Sequence, residues 1–229
     1  DAVTYEFENV PVETARKAGE HAPLRPGLKA LEVCQDRVTE KRFVNDAGIE
    51  TTPWRAVSSV DEAVEAIEAL GTPAILKTRR MGYDGKGQQV IRKAEDAAAA
   101  FQTLGGVPCI LEAFAPFTRE VSVVAARSVD GQIVAFPLAE NRHEGGILRT
   151  SIAPAPGADV LAGEALRIAT AILEGLNYTG VLAVELFVLE DGRLWVNEIA
   201  PRVHNTGHWT TDAGRWVILR PIQPPAWII

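Results

Sequence analysis

The stretch Val181 to Arg202, VLAVELFVLEDGRLWVNEIAPR, constrains the fold more than any other. Two apolar runs rich in β-branched residues flank Asp191-Gly192, a pair that favours a tight two-residue hairpin turn. Counted outward from that turn, Glu185 falls opposite Glu198, with Cβ atoms roughly 4.5–5.5 Å apart. The pairs Ala183/Ala200, Phe187/Val196 and Leu189/Leu194 are expected on the same face. Two opposed carboxylates on an apolar face repel each other and are desolvated, which calls for a shared proton or a cation. A divalent cation does this better, and hard oxygen ligands suit Mg2+. The alternatives are a slipped register, or a solvated edge where neither glutamate needs a partner.

A chain of 229 residues, 47% hydrophobic and 23% charged, can bury a sizeable core in one large or two small domains. Its formal net charge of −7 argues against a general nucleic-acid or anionic-membrane surface and leaves room for a local basic pocket. No apolar run reaches the ~20 residues of a membrane helix, and no secretory leader is visible. Cys34 and Cys109 fit neither a metal spacing nor a disulfide framework, which points to a reducing cytoplasm. The chain opens at Asp1 inside what reads as a strand, so a piece of a longer protein is expected.

Ala2 to Glu8 alternates as a strand, and a short helix follows from Pro11 to about Glu20. His21 to Pro26 reads as a linker, and Leu28 to Ala47 as one helix ended by Gly48. Strands are expected at Trp54–Ser58, Ala74–Arg80, Gln89–Arg92 and Cys109–Phe114. Helices are expected from an Asp61 cap to Leu70 and over Glu95–Leu104. Further on, Glu120–Arg127 and Ile133–Asn141 read as strands joined by a turn, and HEGGILRTSIAPAPG as a loop. A helix over about Val160–Leu176 leads into the hairpin. Mixed helices and antiparallel hairpins indicate an α+β fold.

The loop LKTRRMGYDGKGQ carries the next constraint. Gly82, Gly85 and Gly87 let the backbone approach a ligand and present N–H groups to anionic oxygens, while Lys77, Arg79, Arg80 and Lys86 add positive charge. It is not a Walker A loop, because Lys86 precedes Gly; a strand–glycine loop–strand arrangement fits a flap over phosphates. The alternative is a merely flexible basic tip. In CILEAFAPFTRE, Glu112 or its backbone and Glu120 are placed to meet a ribose or an adenine amine, or are simply solvated. His143 sits in a glycine-flanked loop. Arg202, His204, Asn205, Thr206 and His208 crowd a turn after Glu198, which suits a substrate pocket better than a zinc site.

These segments together resemble a known family. TYEFENV, QDR-x-x-EK, LKTRR-x-GYDGKGQ, PCILE, RE-x-SV, EN-x-H-x-x-GIL, GVLAVE-x-FV and NEIAPRVHN-x-GHWT follow the pattern of the 5-(carboxyamino)imidazole ribonucleotide synthases, ATP-grasp enzymes of purine synthesis. The match runs from about residue 3 to 212. The resemblance implies an ATP-grasp fold of two α+β subdomains clamping a nucleotide, with ATP and Mg2+ as cofactors. It implies carboxylation of 5-aminoimidazole ribonucleotide with bicarbonate through carboxyphosphate, in the cytoplasm, by a homodimer with no nucleic-acid or membrane partner. Arg37, Lys77, Gly82, Tyr83, Asp84, Gly85, Lys86, Gly87, Gln88, Glu112, Ala113, Phe114, Ala115, Glu120, His143, Asn197 and Glu198 would lie around ATP. Glu185 and Glu198 would hold Mg2+. Glu6, Tyr83, Arg202, His204 and Asn205 would face the ribonucleotide or bicarbonate, with Lys86, Arg202 and His204 as the catalytic groups.

The implied division is residues 1–26 as the remnant of an N-terminal Rossmann-like subdomain with its linker, and 27–212 as the ATP-grasp core with a flap subdomain near 54–114. Residues 213–229 depart from the family as an atypical tail where a C-terminal subdomain with phosphate-binding basic residues is expected. The competing functions are a nucleotide-binding module without turnover, and another ATP-grasp ligase such as formate-using glycinamide ribonucleotide transformylase.

Overall fold

Alternating apolar runs separated by glycine turns build two antiparallel sheets, each closed on one face by helices. The computed structural model describes residues 1–82 and 85–213. Tyr83 and Asp84 of the flap, and residues 214–229 of the tail, therefore lie outside the described residues.

The chain opens with α1 (Val12–Gly19), α2 (Leu28–Cys34) and α3 (Arg37–Asp46). Ala2 to Glu8 is not a strand: Val3 makes only an isolated parallel bridge to Leu24, inside the expected linker. The single helix expected over Leu28–Ala47 is two. Asp36 breaks it, adopting an extended backbone (φ −134°, ψ 114°) and accepting from the N–H groups of Val38 and Thr39, so it caps α3 instead of continuing α2.

The small sheet contains β1 (Trp54–Val57), β2 (Ala74–Thr78), β3 (Gln88–Ile91) and β4 (Cys109–Ala113) in the order β1-β4-β2-β3. Helices α4 (Val60–Leu70) and α5 (Ala97–Thr103) cover it, burying Ala63, Ile67 and Phe101 against Val57, Leu76, Ile91 and Leu111. Ser59, not Asp61, caps α4, accepting from the Glu62 N–H.

The large sheet contains β5 (Phe117–Arg127), β6 (Ile133–Ala135), β7 (Ala139–Glu144), β8 (Ile147–Ile152), β9 (Gly180–Leu189) and β10 (Leu194–Ala200). Its order is β10-β9-β5-β7-β8, with β6 on β5. The strand expected over Ile133–Asn141 divides around Pro137, which has no N–H to give to a ladder. The loop expected after His143 is instead the β7–β8 hairpin, turned by Gly145 and Gly146 at φ 61° and 80°. Helix α6 (Asp159–Gly175) packs Leu161, Ala165, Ile168, Ile172 and Leu173 on Val121, Val123, Leu182, Val184 and Leu186. A final short helix, α7 (Trp209–Ala213), ends the described part. Among the described residues no helix is long and apolar enough to cross a membrane.

The hairpin pairs Glu185 with Glu198 and Ala183 with Ala200, as expected. Nearer the turn the expectation fails, because Leu194 pairs with Val188, Trp195 with Phe187 and Val196 with Leu186. Leu189 and Arg193 close a three-residue loop with Gly192 at φ 84°, one residue longer than expected. A bulge at Asn197 then adds one residue to β10 and restores the pairing beyond it. It also sets faces. Leu194 and Val196 join the core under α6, whereas Ala200 packs with Ala183 and Val124 on the opposite face.

Candidate active site

The large sheet is apolar toward α6, and its other face carries polar residues beside the Val124, Ala183 and Ala200 cluster. Strand alternation puts Val121 and Val123, Val184 and Leu186 in the core and turns Glu120, Ser122 and Glu185 the other way. Register aligns these residues across strands: Glu198 opposes Glu185, Glu185 opposes Ser122, and Glu120 opposes Asn141. Strict alternation would carry Glu198 to the side of Val196. The bulge breaks the alternation, so Asn197 Nδ2 comes within 3.5 Å of Glu185 Oε2 and Glu198 faces the same cluster.

One ligand atom from each of Glu185, Glu198 and His204 lies within 4.8 Å of the others. Burial and the Glu198 charge push the Glu185 carboxyl up to about 8. Burial also works against ionised Glu198, but the charges of Arg37 and Lys77 and the Arg37 hydrogen bond outweigh it and lower its pKa. The pair therefore titrates as a unit that favours one shared proton over two full charges. The donor set fits a hard divalent cation: two converging carboxylates, with the buried, unpartnered Ser122 Oγ on the residue opposite Glu185.

Cations come from the facing elements. Arg37, first residue of α3, reaches Glu198 Oε2 at 3.4 Å and the Gly82 carbonyl at 3.5 Å. Asp36 fixes that position, because its carboxylate also pairs with Arg79 at 2.9 Å and Arg80 at 3.3 Å beyond the end of β2. Lys77 on β2 donates to Glu112 Oε2 at 2.9 Å. Thus Glu112, 3% exposed, turns its carboxylate to lysines, while its backbone is paired between Trp54 of β1 and Ile75 of β2. Ala113, Phe114 and Ala115 lead from β4 to β5, the crossing from small sheet to large, with Phe114 half exposed.

The flap lies between β2 and β3. Gln88 opens β3 opposite Lys77, and Lys86 is exposed at the turn. Gly85 (φ 72°) sits so near the β7–β8 turn that a Cβ there would stand 3.1 Å from the Gly145 carbonyl oxygen. At Gly87 (φ 71°) a Cβ would stand 2.7 Å from Thr78 Oγ1. Gly87→Ala is therefore expected to destabilise the chain by about 1–2 kcal/mol in urea unfolding, with Thr78→Ala recovering part of the loss. Equal effects of Gly87→Ala with Thr78 present or absent would remove the contact as the cause.

His143 Nδ1 lies 3.0 Å from Glu120 Oε2, an ion-pair approach whose angle falls short of a hydrogen bond. Glu120 is the main reason the imidazole's pKa is raised. In the turn after β10, Arg202 is gripped by both oxygens of Glu8, one of them at 3.1 Å. Glu6, expected here, is exposed; Glu8, two residues on, is the acid that reaches the site. His204 Nδ1 accepts from the Thr206 N–H at 3.4 Å, which places its proton on Nε2, and burial pulls its pKa down to about 4. Asn205 is exposed, its Oδ1 accepting from the Thr206 N–H.

A two-sheet clamp with a glycine flap over a carboxylate pair is the arrangement of an ATP-grasp protein. The ATP-grasp domain model matches residues 42–216, and the chain belongs to that family. The chain is 51% identical over 215 residues to the N5-carboxyaminoimidazole ribonucleotide synthase of Brucella melitensis. That alignment covers 93% of this chain and 59% of the relative, so the chain spans less than two thirds of the length of that relative. The crystal structure of N5-carboxyaminoimidazole ribonucleotide synthetase from Thermus thermophilus superposes with a TM-score of 0.86 at 50% identity, covering 92% of this chain and 57% of that one. The Aspergillus clavatus synthase in complex with ADP and 5-aminoimidazole ribonucleotide superposes with a TM-score of 0.84 at 27% identity, covering 92% and 55%.

Proposed function

We propose that this chain is the nucleotide-binding core of a cytoplasmic N5-carboxyaminoimidazole ribonucleotide synthase. The reaction uses ATP and bicarbonate to carboxylate the amine of 5-aminoimidazole ribonucleotide, releasing ADP and phosphate. The convergence of Glu185 and Glu198 opposite Arg37 and Lys77, under a glycine flap, carries this reading. Glu185 and Glu198 would hold Mg2+, which neutralises the phosphate oxygens when bound.

Arg37 and Lys77 supply positive charge where the transferred phosphoryl group gathers negative charge, and the flap's backbone N–H groups add dipoles. Carboxyphosphate, the mixed anhydride formed when bicarbonate takes the phosphoryl group, hydrolyses in water. The approach of Gly85 to Gly145 brings the flap against the large sheet, a closure suited to excluding solvent. Glu120 and His143 stand at the nucleotide end. Arg202, oriented by Glu8, suits an anionic group of the ribonucleotide or bicarbonate, and neutral His204 can donate from Nε2 to a reacting oxygen.

Calorimetric titration with Mg-ADP tests the nucleotide site, and no binding to a well-folded sample would remove it. Phosphate release that needs both 5-aminoimidazole ribonucleotide and bicarbonate is the expected signature of turnover. Phosphate release that ignores the ribonucleotide would assign the chain to another ligase.

A further inference from the structure

β10 is the edge strand of the large sheet, and two adjacent ionisable residues of α3 take backbone groups that its outer side and the bulge leave without a strand partner. Lys41 Nζ donates to the carbonyls of both Val196, at 3.2 Å, and Asn197, at 3.0 Å. In a regular strand successive carbonyls point to opposite edges, so convergence on one ammonium belongs to the bulge. On the other side of Glu198, the Ile199 N–H donates to Glu40 Oε2 at 3.2 Å. Glu198 is thus held from both flanks by one turn of α3.

We propose that Glu40 and Lys41 are positioning residues for Glu198, locking the bulge so that its carboxylate converges with Glu185 on one divalent cation. The inference rests on reading that pair as the cation site. Both residues are almost wholly buried, at 4% and 2% exposure, a costly choice for ionisable side chains unless each has a defined partner. Their partners are the backbone groups that determine where Glu198 points. Lys41 also stands 4.0 Å from Glu112 Oε2, which in turn holds Lys77. The same ammonium therefore sets the bulge against the small sheet and its nucleotide-facing lysine.

The test is Mn2+ binding to the chain in the presence of ADP, read from the electron paramagnetic resonance signal of free Mn2+. ADP affinity without metal and urea unfolding are measured alongside. Lys41→Met and Glu40→Met are expected to weaken Mn2+ binding about 10–100-fold, the range for groups that orient metal ligands, with metal-free ADP affinity unchanged in Glu40→Met. Glu40→Gln keeps an oxygen acceptor for the Ile199 N–H and should stay within about threefold of the parent. Lowered unfolding stability with parental Mn2+ affinity in the folded variants would show a structural role only and overturn the proposal. Should Lys41→Met fail to fold, the Glu40 pair decides: equal losses in Glu40→Gln and Glu40→Met overturn the acceptor role. Parental Mn2+ binding by Glu198→Gln would instead sink the cation reading itself.

Discussion

Glu198→Gln is expected to weaken Mg-ADP binding on the order of 100-fold while leaving metal-free ADP binding unchanged or slightly tighter. Glutamine keeps the size and one oxygen of the side chain and removes its charge. An anionic ligand lost from a bound divalent cation costs about 3 kcal/mol, which sets the factor. The opposite sign without metal follows from electrostatics: a carboxylate near the phosphates repels them unless a cation lies between. The 3.4 Å pairing with Arg37 is also lost, freeing a guanidinium for the phosphates. Glu185 should become more acidic, because the Glu198 charge is one cause of its pKa near 8. Calorimetry with and without Mg2+ checks both signs, and a parental Mg2+ dependence in the variant would refute the role given to Glu198.

Much of this site was legible in the sequence, in one instance for an incomplete reason. Glu185 and Glu198 were placed opposite each other by assuming a two-residue turn and a regular strand. The loop is one residue longer, and the Asn197 bulge adds one residue to the other strand, so the two departures cancel at that pair. They do not cancel for Val196 and Leu194, which lie in the core. Bulges leave little trace in apolar periodicity. The trace here is chemical: consecutive polar residues, Asn197-Glu198, in a strand that is otherwise apolar.

Elsewhere, tertiary partners overrode local patterns. Asp36 has a helix-cap side chain, yet the apolar spacing on either side concealed the break it makes in Leu28–Ala47. The β7–β8 hairpin was hidden by its glycines and prolines, though Gly145-Gly146 supplies the positive φ of a tight turn. Glu40 and Lys41 stood in the QDR-x-x-EK segment without a visible role, because their partners lie on β10 some 155 or more residues away. Glu8 and Glu6 differ only in which one the chain brings to Arg202, a matter of packing that alternation does not encode.

Removing the charge of Lys77 should cost several kcal/mol of stability. Glu112 is 3% exposed, with Lys77 at 2.9 Å and Lys41 at 4.0 Å. Burial alone would raise its carboxyl, but Lys41, Lys77 and Arg37 prevail and bring it from 4.5 to about 2. Lys77→Met leaves a buried carboxylate short of its nearest counter-charge, a change that costs about 3–5 kcal/mol when a buried pair is broken from one side. The sign of the pH dependence follows. A folded-state pKa below the unfolded value stabilises the fold fully above about pH 4.5, and that contribution is lost as pH falls toward 2. A shift of that size corresponds to about 3 kcal/mol. Urea unfolding of the parent between pH 5 and 2 should therefore fall steeply, and the Lys77→Met curve should start lower and run flatter. The flattening separates this ion pair from carboxylates remote from Lys77, which titrate alike in both proteins. Parallel curves would mean that Lys77 contributes packing by its alkyl stem and no charge compensation to Glu112.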